Sequence, residues 1–112
     1  LLGAAGLGDI GDHFPPHDPQ FKGIRSTVML EKILVEIRSH RYRVINVDAT
    51  VFLEAPKLYP YKDPIRENLA RLLDIPLEAV SVKAKTAEKF PPVGTGEAIA
   101  TSVSALLERL PG

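Results

Sequence analysis

The stretch from Val44 to Glu54 constrains the fold most, because its hydrophobic residues recur at every second position. Ile45, Val47, Ala49, Val51 and Leu53 lie on one face of a strand, and Asn46, Asp48, Thr50, Phe52 and Glu54 on the other. So apolar a face must be covered by a helix layer or a second sheet, and the flanking segments supply helices. Upstream, Met29, Leu30, Ile33, Leu34 and Ile37 follow three-to-four spacing, predicting a helix capped by Ser26 and running to about His40. Downstream, Asp63-Pro64 joins a capping acid to a proline suited to the first helical position, and Ile65, Leu69, Leu72 and Leu73 give that helix its stripe. Asp74-Ile75-Pro76 ends it, with a short further turn over 76–79. Val80, Val82 and Ala84 then alternate with Ser81, Lys83 and Lys85 in a second strand. The final segment from Ala98 to Leu110 alternates like a strand, while its Ala, Leu and Glu content also suits a helix.

A chain of 112 residues predicts one domain with a modest core. Lysine and arginine together number 14, as do the acids, so overall charge points to neither nucleic acid nor a membrane surface as partner. An anionic ligand would have to be held locally. The absence of cysteine removes disulfides, thiolate zinc sites and thiol nucleophiles. No apolar run approaches the roughly 20 residues that cross a bilayer, and no basic-then-apolar leader precedes the first helix. A soluble chain is expected. Leu1 to Gly8 has the small, apolar character of a helix's last turns without a cap before it, as though continued from a longer chain.

Three loops have ligand-binding composition: Asp9 to Asp18, Leu53 to Tyr59, and Lys85 to Thr95. In the first, glycines, aspartates and prolines predict an ordered loop rather than a helix. Its residues read either as local backbone chemistry, a C-cap at Gly8 and a turn at Asp18-Pro19, or as Asp9 and Gly11 facing a ligand. His13 and His17 are four apart, but Pro15 and Pro16 remove the helix that would make this a metal pair. Arg38, Arg41 and Arg43 at the end of the first long helix are explained by its dipole. In the second loop, Ala55-Pro56-Lys57-Leu58 offers backbone donors and acceptors with little freedom left, suited to the edge of a planar base. In the third, Lys85-Thr86-Ala87-Glu88 brings together phosphate-binding and divalent-cation groups. Any one of these is also an ordinary surface loop.

Taken together, Gly8-Asp9-Ile10-Gly11, Phe14-Pro15 with Asp18-Pro19, Phe21-Lys22-Gly23, Asn46-Val47-Asp48, Ala55-Pro56-Lys57-Leu58 and Val82-Lys83-Ala84-Lys85-Thr86 with Glu88-Lys89 stand in a distinctive order and spacing. The sequence resembles the 2-C-methyl-D-erythritol 2,4-cyclodiphosphate synthase family over essentially its whole length. The resemblance implies an α+β fold, a mixed sheet backed by helices on one face, in a homotrimer with active sites between subunits. It favours a strand for the final segment. The implied reaction converts 4-diphosphocytidyl-2-C-methyl-D-erythritol 2-phosphate to the cyclic diphosphate and CMP, the 2-phosphate attacking the β-phosphorus, so the protein supplies positioning and charge stabilisation.

On that likeness Asp9, Ile10 and Gly11 hold the ribose, and Phe14, Pro15, Pro16, His17 and Asp18 border the erythritol phosphate. Leu53, Glu54, Ala55, Pro56, Lys57, Leu58 and Tyr59 read cytosine, largely through backbone groups. Lys85, Thr86, Ala87 and Glu88 bind the diphosphate, with Thr86 stabilising the transition state, Glu88 holding magnesium, and Pro92 and Thr95 completing the substrate set. The family's zinc-type ion is held by an Asp-x-His and a further histidine, which this sequence lacks; the resemblance places them before Leu1 and implies that these 112 residues alone do not turn over substrate. Pro16 and Thr95 replace an acid and an arginine common in the family, and Pro91-Pro92 a different loop. The implied location is bacterial cytoplasm or plastid stroma. Two function classes follow: the lyase, and a non-catalytic trimeric module that binds cytidine nucleotides.

Overall fold

The computed structural model describes residues 1–86 and 98–111. Helices α1 (Ile10–His13), α2 (Ser26–Ser39) and α3 (Lys62–Leu73) accompany strands β1 (Tyr42–Phe52), β2 (Val80–Lys85) and β3 (Ala100–Arg109), ordered β2-β1-β3 in the sheet. The final segment is a strand. The chain divides into two compact units, Leu1–Ile45 with Leu106–Gly112, and Asn46–Ala105.

In the first unit the apolar stripe of α2 is buried at Ile33, Leu34 and Ile37, and Leu2, Phe14 and Val44 are buried as well. The expected Ser26 cap is absent: Ser26 is already helical, and Arg25 precedes it without a side-chain cap. The opening residues form one turn closed by Gly6, not Gly8. Leu7 N–H donates to the Leu2 carbonyl at 2.9 Å and Gly6 N–H to that of Gly3 at 3.0 Å, with Gly6 left-handed at φ 70°. This double bond pattern satisfies carbonyls that a helix end would leave open. The expected loop after Gly8 contains the single turn α1, because two aspartates cap it reciprocally. Arg41 and Arg43 do more than neutralise a helix dipole. Arg41 Nη2 donates to the Pro111 carbonyl at 2.5 Å, its carbonyl accepts from Leu110 N–H at 2.7 Å, and Arg43 pairs with Glu108. These contacts step in opposite directions along β1 and β3, the pattern of an antiparallel ladder.

The second unit pairs β1 with β2 in parallel, Val47 opposite Val80 through Phe52 opposite Lys85, so the sheet is mixed. Val47, Ala49, Val80 and Val82 are buried, and α3 packs against β2 with Leu73 buried. Ile65, Leu69 and Leu72 are half-buried. Helix α3 begins one residue before Asp63, directly after a 3-10 turn over Tyr59–Tyr61, and ends at Asp74, left-handed at φ 56°. Arg66 braces the return to β2, donating to the carbonyls of Val80 at 2.9 Å and Leu77 at 3.1 Å. Ala84, expected on the apolar face, is exposed. Its surroundings show why.

Candidate functional site

Because β1 and β2 are parallel, both deliver their carboxyl ends to one edge, where open α/β sheets place ligands. There Leu53 N–H donates to the Lys85 carbonyl at 3.0 Å, fastening the exit of β1 to the end of β2. The chain then bends through Glu54, Ala55 and Pro56, with a cis Ala55–Pro56 peptide, into the 3-10 turn at Tyr59. Tyr61 N–H donates to the Leu58 carbonyl at 2.8 Å and fixes that turn.

The outcome is a cleft of about 300 Å³ lined by Leu53, Glu54, Lys57, Leu58, Tyr59, Ala84, Lys85 and Thr86. Residues of two expected loops that are distant in the chain therefore meet. Leu53, Leu58 and Ala84 give it an apolar surface, and Lys57 and Lys85 bring ammonium groups that have no hydrogen-bond or ion-pair partner among the described residues. Thr86 adds a hydroxyl. A largely apolar cleft whose lining also carries two ammonium groups accepts a ligand with a flat apolar part and an anionic part. Ala55 and Pro56 shape the turn without lining the cleft. Ala84 joins the lining although its alternation with Val80 and Val82 predicts a core position, because β2 outruns its cover at Val82.

The loop from Asp9 to Asp18 belongs to the other unit. Asp9 Oδ1 accepts from Asp12 N–H at 3.1 Å, while Asp12 Oδ2 accepts from Asp9 N–H at 3.0 Å. Gly8 sits beside this box at φ 85°, and a Cβ there would meet Asp12 Oδ2 at 2.3 Å. His13 Nε2 donates to the Leu7 carbonyl at 2.8 Å. Phe14 is buried edge-to-face on Phe21, centroids 5.2 Å apart, and Asp18 caps the 3-10 turn at Pro19, accepting from Gln20 N–H at 3.1 Å. Ile10, Gly11, Pro16 and His17 are exposed and Pro15 half-buried. Among the described residues no three His, Cys, Asp or Glu side chains form a group that would hold a metal ion. Ala87, Glu88, Pro92 and Thr95 lie outside the described residues.

Residues 1–108 match the YgbB family. The chain is 48% identical over 109 residues to the 2-C-methyl-D-erythritol 2,4-cyclodiphosphate synthase of Brachyspira hyodysenteriae, covering 97% of this chain and 69% of that one. It is 51% identical over 108 residues to the synthase of the same name from Thermosynechococcus vestitus, covering 96% and 67%. A solved 2C-methyl-D-erythritol-2,4-cyclodiphosphate synthase in its CDP-bound form superposes with a TM-score of 0.87 at 30% identity, over 96% of this chain and 69% of that one. The chain thus spans about two thirds of the length of each relative. It belongs to the YgbB family, together with these 2-C-methyl-D-erythritol 2,4-cyclodiphosphate synthases.

Proposed function

We propose that this chain carries the cytidine-binding part of a 2-C-methyl-D-erythritol 2,4-cyclodiphosphate synthase, with the cleft between the Leu53–Tyr59 turn and the end of β2 as its nucleotide site. The observation that carries this reading is the join of those two segments at a parallel strand edge, where a largely apolar cleft is also lined by Glu54, Lys57 and Lys85. A protein of balanced charge needs such a local concentration of cations to hold a diphosphate. The CDP-bound relative supports it, as do the names of the curated relatives, which favour the lyase over a non-catalytic module.

In the proposed reaction an oxygen of the substrate's 2-phosphate bonds to the β-phosphorus. The bond from that phosphorus to the bridging oxygen breaks, and CMP leaves with the oxygen. Backbone groups of the turn hold cytosine, Lys85 and Lys57 balance the phosphate charge, and the Thr86 hydroxyl donates toward oxygens that gain charge as the bonds exchange. Asp9 to Gly11 take the ribose, and residues 14 to 18 border the erythritol phosphate. Glu88, Ala87, Pro92 and Thr95 complete the proposed set, with Glu88 the magnesium ligand. The described residues do not make up a zinc-type site by themselves.

Assembly as a homotrimer, its sheet backed by helices on one face and its active sites between subunits, also belongs to this reading. Its support is β3, exposed along most of its length with Val103 56% and Leu106 54% accessible. Among the described residues no helix is long and apolar enough to cross a membrane, and bacterial cytoplasm or plastid stroma is the proposed setting, with the bacterial relatives supporting the first. The test is release of CMP from 4-diphosphocytidyl-2-C-methyl-D-erythritol 2-phosphate by the protein expressed from its full coding sequence. Cyclic diphosphate should form in step with CMP, and Thr86→Ala should slow it by about a hundredfold or more, the scale of losing one transition-state donor. CMP binding without turnover would leave the non-catalytic module.

A further inference from the structure

Tyr59 lines the cleft yet is 81% exposed, an unusual place to leave a large ring that no core contact requires. Its backbone is fixed by the 3-10 turn and by Pro60 after it. Lys62 Nζ lies 5.8 Å from the ring centroid. Lys62 is also the first residue of α3, where the helix dipole disfavours a cation, and the negative face of a ring offsets that cost. The ammonium thus occupies one side of the phenol. With Tyr59 81% exposed, ring surface is still accessible to a planar partner.

We propose that the Tyr59 ring is a stacking platform for the base of a nucleotide in this cleft, steadied from behind by Lys62. This rests on the reading of the cleft as a cytidine-nucleotide site, and adds a side-chain contact to recognition otherwise made by the backbone. Stacking has little preference among bases, because each presents a π face. Tyr59 therefore sets affinity, while the turn's hydrogen-bonding groups set the choice of cytosine.

The test is calorimetric titration of the wild type, Tyr59→Leu, Tyr59→Phe and Lys62→Met with CMP, UMP and ribose 5-phosphate. Tyr59→Leu should weaken CMP by about five- to a hundredfold, and UMP by the same factor. The CMP-to-UMP ratio and the affinity for ribose 5-phosphate should stay as in the wild type. Tyr59→Phe should restore CMP to within about twofold, and Lys62→Met should cost about two- to fivefold, the scale of an exposed cation–π contact. The chain has 3 tyrosines and no tryptophan, so CMP should also quench tyrosine fluorescence, and Tyr59→Leu should remove most of that quenching. Equal CMP affinity in wild type and Tyr59→Leu overturns the stacking role and leaves the nucleotide site standing. A wild type that does not bind CMP overturns the site itself. A change in assembly state on Tyr59→Leu without ligand makes the ring an interface residue and also overturns the inference.

Discussion

The loops of the first unit and the cleft of the second hold their polar side chains differently. In the first, Asp9, Asp12 and Asp18 face backbone amides of their own loops, His13 holds the Leu7 carbonyl, and Arg41 and Arg43 are tied to the chain's last residues. In the second, Lys57 and Lys85 stand at the strand edge without a partner among the described residues, beside an apolar slot. Asp9 tests the contrast, because its Oδ1 already accepts from Asp12 N–H and it is also the proposed ribose ligand.

The largest effect expected from probing this difference is in the core of the first unit. Ile37 is fully buried, so Ile37→Ala should destabilise the fold by about 2–5 kcal/mol. Chemical denaturation should show that loss, with CMP affinity of the folded protein unchanged. A collapse of affinity in protein still folded would mean that packing around Ile37 in α2 sets the nucleotide site. Next come the two aspartates. Asp12→Ala and Asp9→Ala each remove half of one capping box and should each cost about 1 kcal/mol. Only Asp9→Ala should also shrink the rise in melting temperature given by CDP, because Asp9 is the proposed ribose ligand and ligand stabilisation follows affinity. Equal shifts in both variants would reduce Asp9 to a cap. The smallest effect is at the Lys83–Asp48 pair, 3.0 Å apart and half-exposed on both sides. Lys83→Met should change stability by less than about 1 kcal/mol, and CDP affinity should not follow, since Lys83 does not line the cleft.

Much of this was legible in the sequence. Period-two alternation located β1 and β2, three-to-four spacing located α2 and α3, and the resemblance resolved β3 as a strand. The errors share a cause. Ser26, Asp63 and Gly8 read as helix boundaries from residue type, but Ser26 and Asp63 are already helical, and an earlier glycine, Gly6, closes the opening turn. Proline and glycine content hid α1, because a reciprocal Asp9–Asp12 cap stabilises a single turn that composition argues against. Ala84 was missed because alternation fixes which face a residue takes and not how far the covering layer extends. The join of Leu53 to Lys85 was invisible for another reason: it depends on parallel pairing and its register, which neither strand's own sequence specifies.

The proposed seat of the cytidine nucleotide is where these strand ends meet. The most direct measurement is a CDP titration followed by backbone amide NMR. The largest shifts should fall on Leu53, Leu58, Tyr59, Lys85 and Thr86, with the amides of α2 unmoved. Shifts centred on α2 or on the Asp48–Lys83 face, with the cleft amides still, would contradict it.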